Sequence, residues 1–334
     1  MNTVNEWAEF FRDQQVPEDL ILRYLPYIER LLTKNVPIIF EGKHLRKLLG
    51  IESSMLRSLV FNGSAFYRSF SIPKRSGGER TITAPYPELA NAQAWIKQEI
   101  LDNLKATPSA TAYVQGKSIL ENANEHVGKK MLLKLDVEDF FGSIDVKKIT
   151  AIFESCGYTN KVSYLLASIC TLDGSLPQGA PTSPQLSNLA SIPLDNRIHA
   201  LAKKLELTYT RYADDIALSG EFIHSNVISY VEDILKSEGL KLNSNKTQLK
   251  QPGKRKILTG ISVSSEKPMI PRAYKRQLRA EVFNALHKAQ HELPFDPLNI
   301  ERLIGKLNFV LHVEPENQFA RRSLEALKQK KIAP

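Results

Sequence analysis

The stretch Thr208-Tyr209-Thr210-Arg211-Tyr212-Ala213-Asp214-Asp215-Ile216-Ala217-Leu218-Ser219 decides how this chain is read. β-Branched and aromatic residues lead into two adjacent acids, and an apolar triplet follows them. The pattern predicts strand, tight turn, strand, with both acids at the tip. Adjacent carboxylates repel unless a cation neutralises them, which points to a metal site. An exposed turn, where Asp is common, would account for the same dipeptide taken alone.

Working upstream, a helix is expected over 185–205, preceded by Leu176-Pro177-Gln178-Gly179-Ala180-Pro181, too rich in Pro and Gly for an element interior. A helical stretch covers Val146 to Leu172. Before it, the apolar strand Met131 to Val137 runs into Glu138-Asp139-Phe140-Phe141, with Asp136 near its end. Asp136, Asp214 and Asp215 would supply hard oxygen donors suited to Mg²⁺, with Mn²⁺ as the alternative ion. Two such ions about 4 Å apart stabilise the attacking and leaving oxygens of an in-line phosphoryl displacement.

Further out, helices are expected at Ile119 to Val127 and Pro87 to Leu104. Strands Tyr67 to Pro73 and Arg80 to Thr83 flank Ser76-Gly77-Gly78, a hairpin signature whose loop carries Lys74, Arg75 and Arg80. Residues 5 to 60 keep helical periodicity, with Gly50 as a stop. The 334 residues, 42% hydrophobic and 24% charged, suit a chain that folds without staples. Cys156 and Cys170 match no metal-ligand spacing and read as inert thiols in a reducing cytosol. Residues 1 to 20 lack a signal-type apolar core and no run of eighteen apolar residues occurs, so the expectation is a cytoplasmic protein without a membrane partner.

Charge is uneven. Residues 246 to 334 hold 18 Lys and Arg against 8 Asp and Glu, so the net charge of +9 is C-terminal. That asymmetry suggests a polyanionic partner, a solvated basic helix being the plainer account. Lys275, Arg276 and Arg279 flank Leu278, Val282 and Leu286 at helical spacing.

Together, Ile72-Pro73-Lys74…Gly77-Gly78-Glu79-Arg80, Leu135-Asp136…Phe140-Phe141, Leu176-Pro177-Gln178-Gly179, Tyr212-Ala213-Asp214-Asp215 and Gly239-Leu240-Lys241-Leu242-Asn243…Lys246-Thr247 resemble, in order, the motifs of a reverse transcriptase. Asn122-Ala123-Asn124-Glu125-His126 is similar to the NAxxH element of bacterial retron reverse transcriptases, and Leu258-Thr259-Gly260 to their VTG element, with Leu where Val is usual.

The resemblance implies an α+β right-hand polymerase: an N-terminal helical region at 1–60, fingers at 61–130, a palm on an antiparallel sheet at 131–258 (fingers again near 150–185), and a basic helical thumb at 259–334. It implies RNA-directed DNA synthesis from dNTPs, with Asp136, Asp214 and Asp215 holding two metal ions and Lys246 protonating the departing pyrophosphate. Lys74 and Arg80 would meet the triphosphate, and Phe141 would exclude a ribose 2′-hydroxyl, core packing being its alternative. Gln178 and Gly179 would lie at the nascent pair, a plain Pro-Gly turn being their alternative, and Tyr212 would contact substrate. Asn122, His126, Lys275, Arg276 and Arg279 fall where RNA contact is expected, a satisfied structural histidine being the alternative for His126. The template implied is a cognate structured non-coding RNA that also primes, through an internal guanosine 2′-hydroxyl, giving branched RNA–DNA for phage defence with an effector protein. Alternative readings are a group II intron-like or abortive-infection reverse transcriptase, or a scaffold holding RNA, DNA and effector.

Overall fold

Apolar residues at helical spacing form four N-terminal helices in the computed structural model, which describes residues 3–73, 77–290 and 297–332: α1 (Val4–Asp13), α2 (Glu18–Thr33), α3 (Gly42–Leu48) and α4 (Ser53–Phe61). Thr3 caps the first by accepting from the Glu6 amide at 3.3 Å. Strands β1 (Tyr67–Pro73) and β2 (Glu79–Pro85) follow, antiparallel, with Ile72 opposite Arg80. In their loop Gly77 and Gly78 have φ of +87° and +79°, the left-handed region that glycine enters without a Cβ clash.

Next come α5 (Pro87–Glu99), α6 (Ile119–Asn124), β3 (Met131–Glu138), α7 (Val146–Ser155), α8 (Asn160–Cys170), α9 (Ser183–Ala190) and α10 (Ile192–Lys204). Two stretches expected as single helices are split. Gly157, at φ +107°, stops α7, and the Thr159 hydroxyl caps α8 by accepting from the Val162 amide at 3.4 Å. Between α9 and α10 the chain breaks at Ser191, just ahead of Pro193, which has no amide hydrogen to continue the helical ladder. The chain ends with β4 (Thr208–Tyr212), β5 (Asp215–Gly220), α11 (Val227–Ser237), β6 (Lys241–Leu242), β7 (Gln248–Lys250), β8 (Ile257–Leu258), β9 (Ile261–Ser262), α12 (Arg272–Gln290), α13 (Pro297–Val313) and α14 (Gln318–Ile332).

Two compact units result, each assembled from separated stretches. The first comprises Met1–Val114, Val137–Ile198 and Tyr230–Leu242. Buried Ile21, Leu31, Ile96, Phe153 and Leu166 contribute to its core. Polar side chains tie its distant segments: Tyr158 donates to the Pro37 carbonyl, Gln93 to that of Ile169 and Asn188 to that of Ala112, each at 2.8 Å.

The second unit comprises Gln115–Asp136, His199–Ser229 and Asn243–Pro334. Its antiparallel sheet runs in the order β4-β5-β3-β7. Strand β3 is buried on both faces, so its sequence is a near-continuous apolar run broken only by Lys134 and Asp136. Leu132 and Ala217 join this sheet to one core with Leu278 of α12, Leu307 of α13 and Leu327 of α14. The last two residues of β3, Val137 and Glu138, belong to the first unit and pair with β6.

Candidate active site

The acidic hairpin forms as its sequence dictates. Tyr212 pairs with Asp215, leaving Ala213 and Asp214 as a two-residue loop. Ala213 has φ +57°, a positive value at the first loop residue that matches the twist of a tight hairpin. Beneath it, fully buried Arg211 donates from Nη1 to the Ala213 carbonyl at 3.1 Å and braces the turn.

Register then places the acids. Asp136 on β3 lies directly opposite Asp215 on β5, and opposed residues of an antiparallel pair share a face with Cα atoms about 4.5–5.5 Å apart. Asp214 sits one residue away at the tip. Lys246 reaches Asp136 with Nζ 2.9 Å from both carboxylate oxygens, and Asn243 donates to Oδ1 at 3.1 Å. The Asn243 amide also holds the Asp136 carbonyl at 2.8 Å.

Charge crowding perturbs this group. Burial, chiefly, pushes the Asp215 carboxyl up to about 6, with the charges of Asp214 and Asp136 adding to the rise and Lys134 and Lys246 opposing it. The hydrogen bond to Asp136 moves Lys246 above its ordinary range, so the ammonium keeps its proton. Among the described residues no three His, Cys, Asp or Glu side chains are gathered as a ready metal-ligand set. The donors nonetheless fit a hard divalent cation: two opposed carboxylates, a third adjacent, and a site on Asp136 where the Lys246 ammonium already supplies positive charge.

Tyr212, half-buried, shares the Asp215 face. Within the first unit, Arg80 is exposed on β2, and Lys74 lies outside the described residues. Phe141 is half-buried, its ring 5.7 Å from Phe140 and 6.4 Å from Tyr113. The Gln178 carbonyl accepts from the Thr83 amide at 2.8 Å, and a Cβ at Gly179 would stand 2.7 Å from the Thr83 carbonyl oxygen. The close backbone approach that Gly179 permits is therefore to β2.

In the second unit, Asn122 and His126 are buried and hydrogen-bonded internally, the arrangement expected of the structural alternative for His126. Lys275 holds its ammonium 2.9 Å from Glu314 in a largely buried pair. Arg276 and Arg279 are exposed, the latter with its guanidinium 5.3 Å from the Phe319 ring centre.

Comparison with known proteins bears on this geometry. The family described as Reverse transcriptase (RNA-dependent DNA polymerase) matches residues 72–267. The retron Ec86 reverse transcriptase of Escherichia coli is 35% identical, over 86% of this chain and 89% of that protein. The chain belongs to the retron reverse transcriptases. The retron Mx162 and Mx65 reverse transcriptases of Myxococcus xanthus are 32% and 30% identical, covering 86% and 87% of the chain and 67% and 73% of theirs. A foamy viral protease–reverse transcriptase in complex with double-stranded DNA superposes with a TM-score of 0.45 at 16% identity, over 80% of this chain and 44% of that one.

This reverse transcriptase is thus an RNA-directed DNA polymerase of α+β polymerase fold, from an enzyme class that uses divalent metal ions. Sequence reading assigned no role to three residues of its acidic site: Arg211, Lys134 and Asn243. The signal for Lys134 was present, since a lysine two residues before Asp136 on a strand shares its face. Nothing local marks Arg211 as buried.

The thiols of Cys156 and Cys170 are buried and free, pushed up to about 11 and about 12 by burial, as unreactive cysteines are. Among the described residues no helix is long and apolar enough to cross a membrane.

Proposed function

We propose that this polymerase copies a cognate structured non-coding RNA, primed from the 2′-hydroxyl of an internal guanosine, to make branched single-stranded DNA that serves phage defence with an effector protein. The observation that carries the polymerase part is the opposition of Asp136 and Asp215 beside Asp214. Similarity to the retron Ec86 enzyme over most of both chains supports the retron part.

In this reading Asp136, Asp214 and Asp215 hold two Mg²⁺ ions, the hard cations that share carboxylate and phosphate oxygens. Bound there, the ions supply positive charge that favours the ionised primer hydroxyl and spreads over the departing pyrophosphate. Lys246, protonated and with its side chain 61% exposed, gives its proton to the departing pyrophosphate as the phosphorus–oxygen bond breaks. Arg80, with Lys74, meets the triphosphate, since guanidinium and ammonium groups suit phosphate oxygens. Phe141 rejects a ribose 2′-hydroxyl by bulk, and Tyr212 and the Gln178-Gly179 turn line the nascent pair. Exposed Arg276 and Arg279 grip nucleic acid through phosphates.

The test is to express the chain with its flanking DNA and to isolate small RNA-linked DNA, beside an Asp214→Asn, Asp215→Asn control. Branched product that requires both acids supports the proposal. Activity on an added primer and template without any branched product would overturn the retron-specific part.

A further inference from the structure

Four polar side chains from three separated segments form a buried chain within the second unit. His126, with no exposed surface, places Nδ1 2.6 Å from the Ser219 hydroxyl and Nε2 2.7 Å from the Thr210 hydroxyl. Thr210 in turn donates to Asn122 Oδ1 at 2.6 Å. Asn122 Nδ2 continues toward the Thr259 hydroxyl at a long 3.5 Å, and Thr259 reaches the Ile119 carbonyl at the same distance.

Donor counting fixes the protons. A threonine hydroxyl has one hydrogen, and that of Thr210 goes to Asn122, so Thr210 can only accept from His126. Nε2 therefore carries the imidazole hydrogen, and Nδ1, bare, accepts from Ser219. The bonds point one way, Ser219 to His126 to Thr210 to Asn122, and such chains strengthen one another in a low-dielectric interior. Burial also pulls the imidazole down to about 4, which keeps the ring neutral, as this arrangement needs.

The position of the chain gives it meaning. Asp215, Ala217 and Ser219 alternate onto one face of β5, and their partners Tyr212, Thr210 and Thr208 lie on that face of β4. Asp136, opposite Asp215, shares it. His126 therefore bridges β4 and β5 on the face that carries the acids, its two anchors lying about 7 and about 13 Å along the strands from Asp215. A slip of one residue between these strands would turn Thr210 and Tyr212 to the opposite face and reshape the loop that carries Asp214, while the β3–β5 pairing keeps Asp215 against Asp136. On this face Ala217 fills little space, and the apolar packing that opposes a slip comes from Tyr209, Ile216 and Leu218, buried on the other face. A bridge reading Thr210 and Ser219 at once admits one register.

We infer that His126, with Thr210, Ser219 and Asn122, is a positioning group that locks the β4–β5 register and so fixes the hairpin tip that carries Asp214 and Asp215. The inference rests on the polymerase reading for its consequence in turnover, and on the geometry alone for its tautomer and its effect on cation binding.

The experiment has three readouts on the full chain. Side-chain ¹⁵N spectra, with the His126 signal identified by its loss in His126→Gln, should show a neutral Nε2–H ring at pH 6. A neutral Nδ1–H ring or a charged one overturns this direction of the bonds. Thr210→Val removes the bridging hydroxyl at constant size, and Thr210→Ser keeps it. In the folded valine variant, Mn²⁺ affinity measured by electron paramagnetic resonance and kcat on a primer–template should each fall about tenfold or more, with primer–template Kd unchanged, because small misplacements of reacting groups are costly. The serine variant should restore both. Wild-type Mn²⁺ affinity in folded Thr210→Val overturns the inference. If that variant does not fold, Ser219→Ala is read by the same criteria. An unsubstituted chain that binds Mn²⁺ yet extends no primer counts against the polymerase reading instead.

Discussion

Replacing Asp215 by Asn should make the folded protein more stable while abolishing DNA synthesis. The native carboxyl is raised from its ordinary 3.8 to about 6, mainly by burial and then by Asp214 and Asp136. Between those two values the folded state binds more protons than the unfolded one, so stability falls as pH rises through the window. Above it the ionised group costs roughly 3 kcal/mol, because each tenfold change in proton affinity is worth about 1.4 kcal/mol. That is an upper figure, since the residue is partly exposed and water screens its charge. Asn keeps the shape without the charge. Denaturant unfolding in EDTA at pH 7.5 should therefore show the variant about 1–3 kcal/mol more stable, and the two proteins should converge below about pH 4. Adding Mg²⁺ should narrow the gap by stabilising only the parent chain. A variant equal to or weaker than the parent at pH 7.5, with no pH-dependent difference, would refute the account of Asp215 as a strained carboxylate.

Other expectations concern neighbouring features. Because the buried His126 ring is pulled from 6.5 to about 4, its contribution is present above pH 6.5 and is lost as pH falls toward 4, by roughly 3 kcal/mol. This slope opposes that of Asp215, so it should appear as a difference in acid unfolding between the parent and His126→Gln rather than in the parent alone. Lys246→Met removes the ammonium that competes for Asp136, so calorimetry should find tighter Mn²⁺ binding even as turnover falls; weaker binding would argue against the competition. Gly179→Ala places a methyl 2.7 Å from the Thr83 carbonyl at φ +140°. It should cost about 2–4 kcal/mol of stability, measured by thermal unfolding. Leu307→Ala, in the core of the second unit, should cost about 2–5 kcal/mol by the same measure.

Strands were legible in the sequence because their signals are local. Residues 208–219 alternate and turn within twelve positions, and Tyr67–Pro73 and Met131–Glu138 form nearly as the pattern predicts. The split of the 146–172 stretch also had a local signal, Gly157 followed by a capping Thr159, which apolar periodicity on both sides obscured. Three features had none. Asn122 and His126 look like surface residues until Thr210 and Ser219, more than eighty positions away, bury them. The partner of Lys275 is thirty-nine residues downstream. Arg211 is charged in a strand, and the folded turn provides the Ala213 carbonyl that accepts its hydrogen bond.

A ribosome delivers this chain in an order that its core does not follow. Leu132 and Ala217 stand on the strands that bear Asp136 and Asp215, yet the core they enter is completed by α12, α13 and α14, as far on as Leu327. At elongation rates of about 5–20 residues per second, roughly 10–40 s separate the emergence of Leu132 from that of Leu327. During that interval the acidic strands exist without the helices that complete this core. A nascent chain is thus unable to complete the core beneath its acidic strands until α14 has emerged.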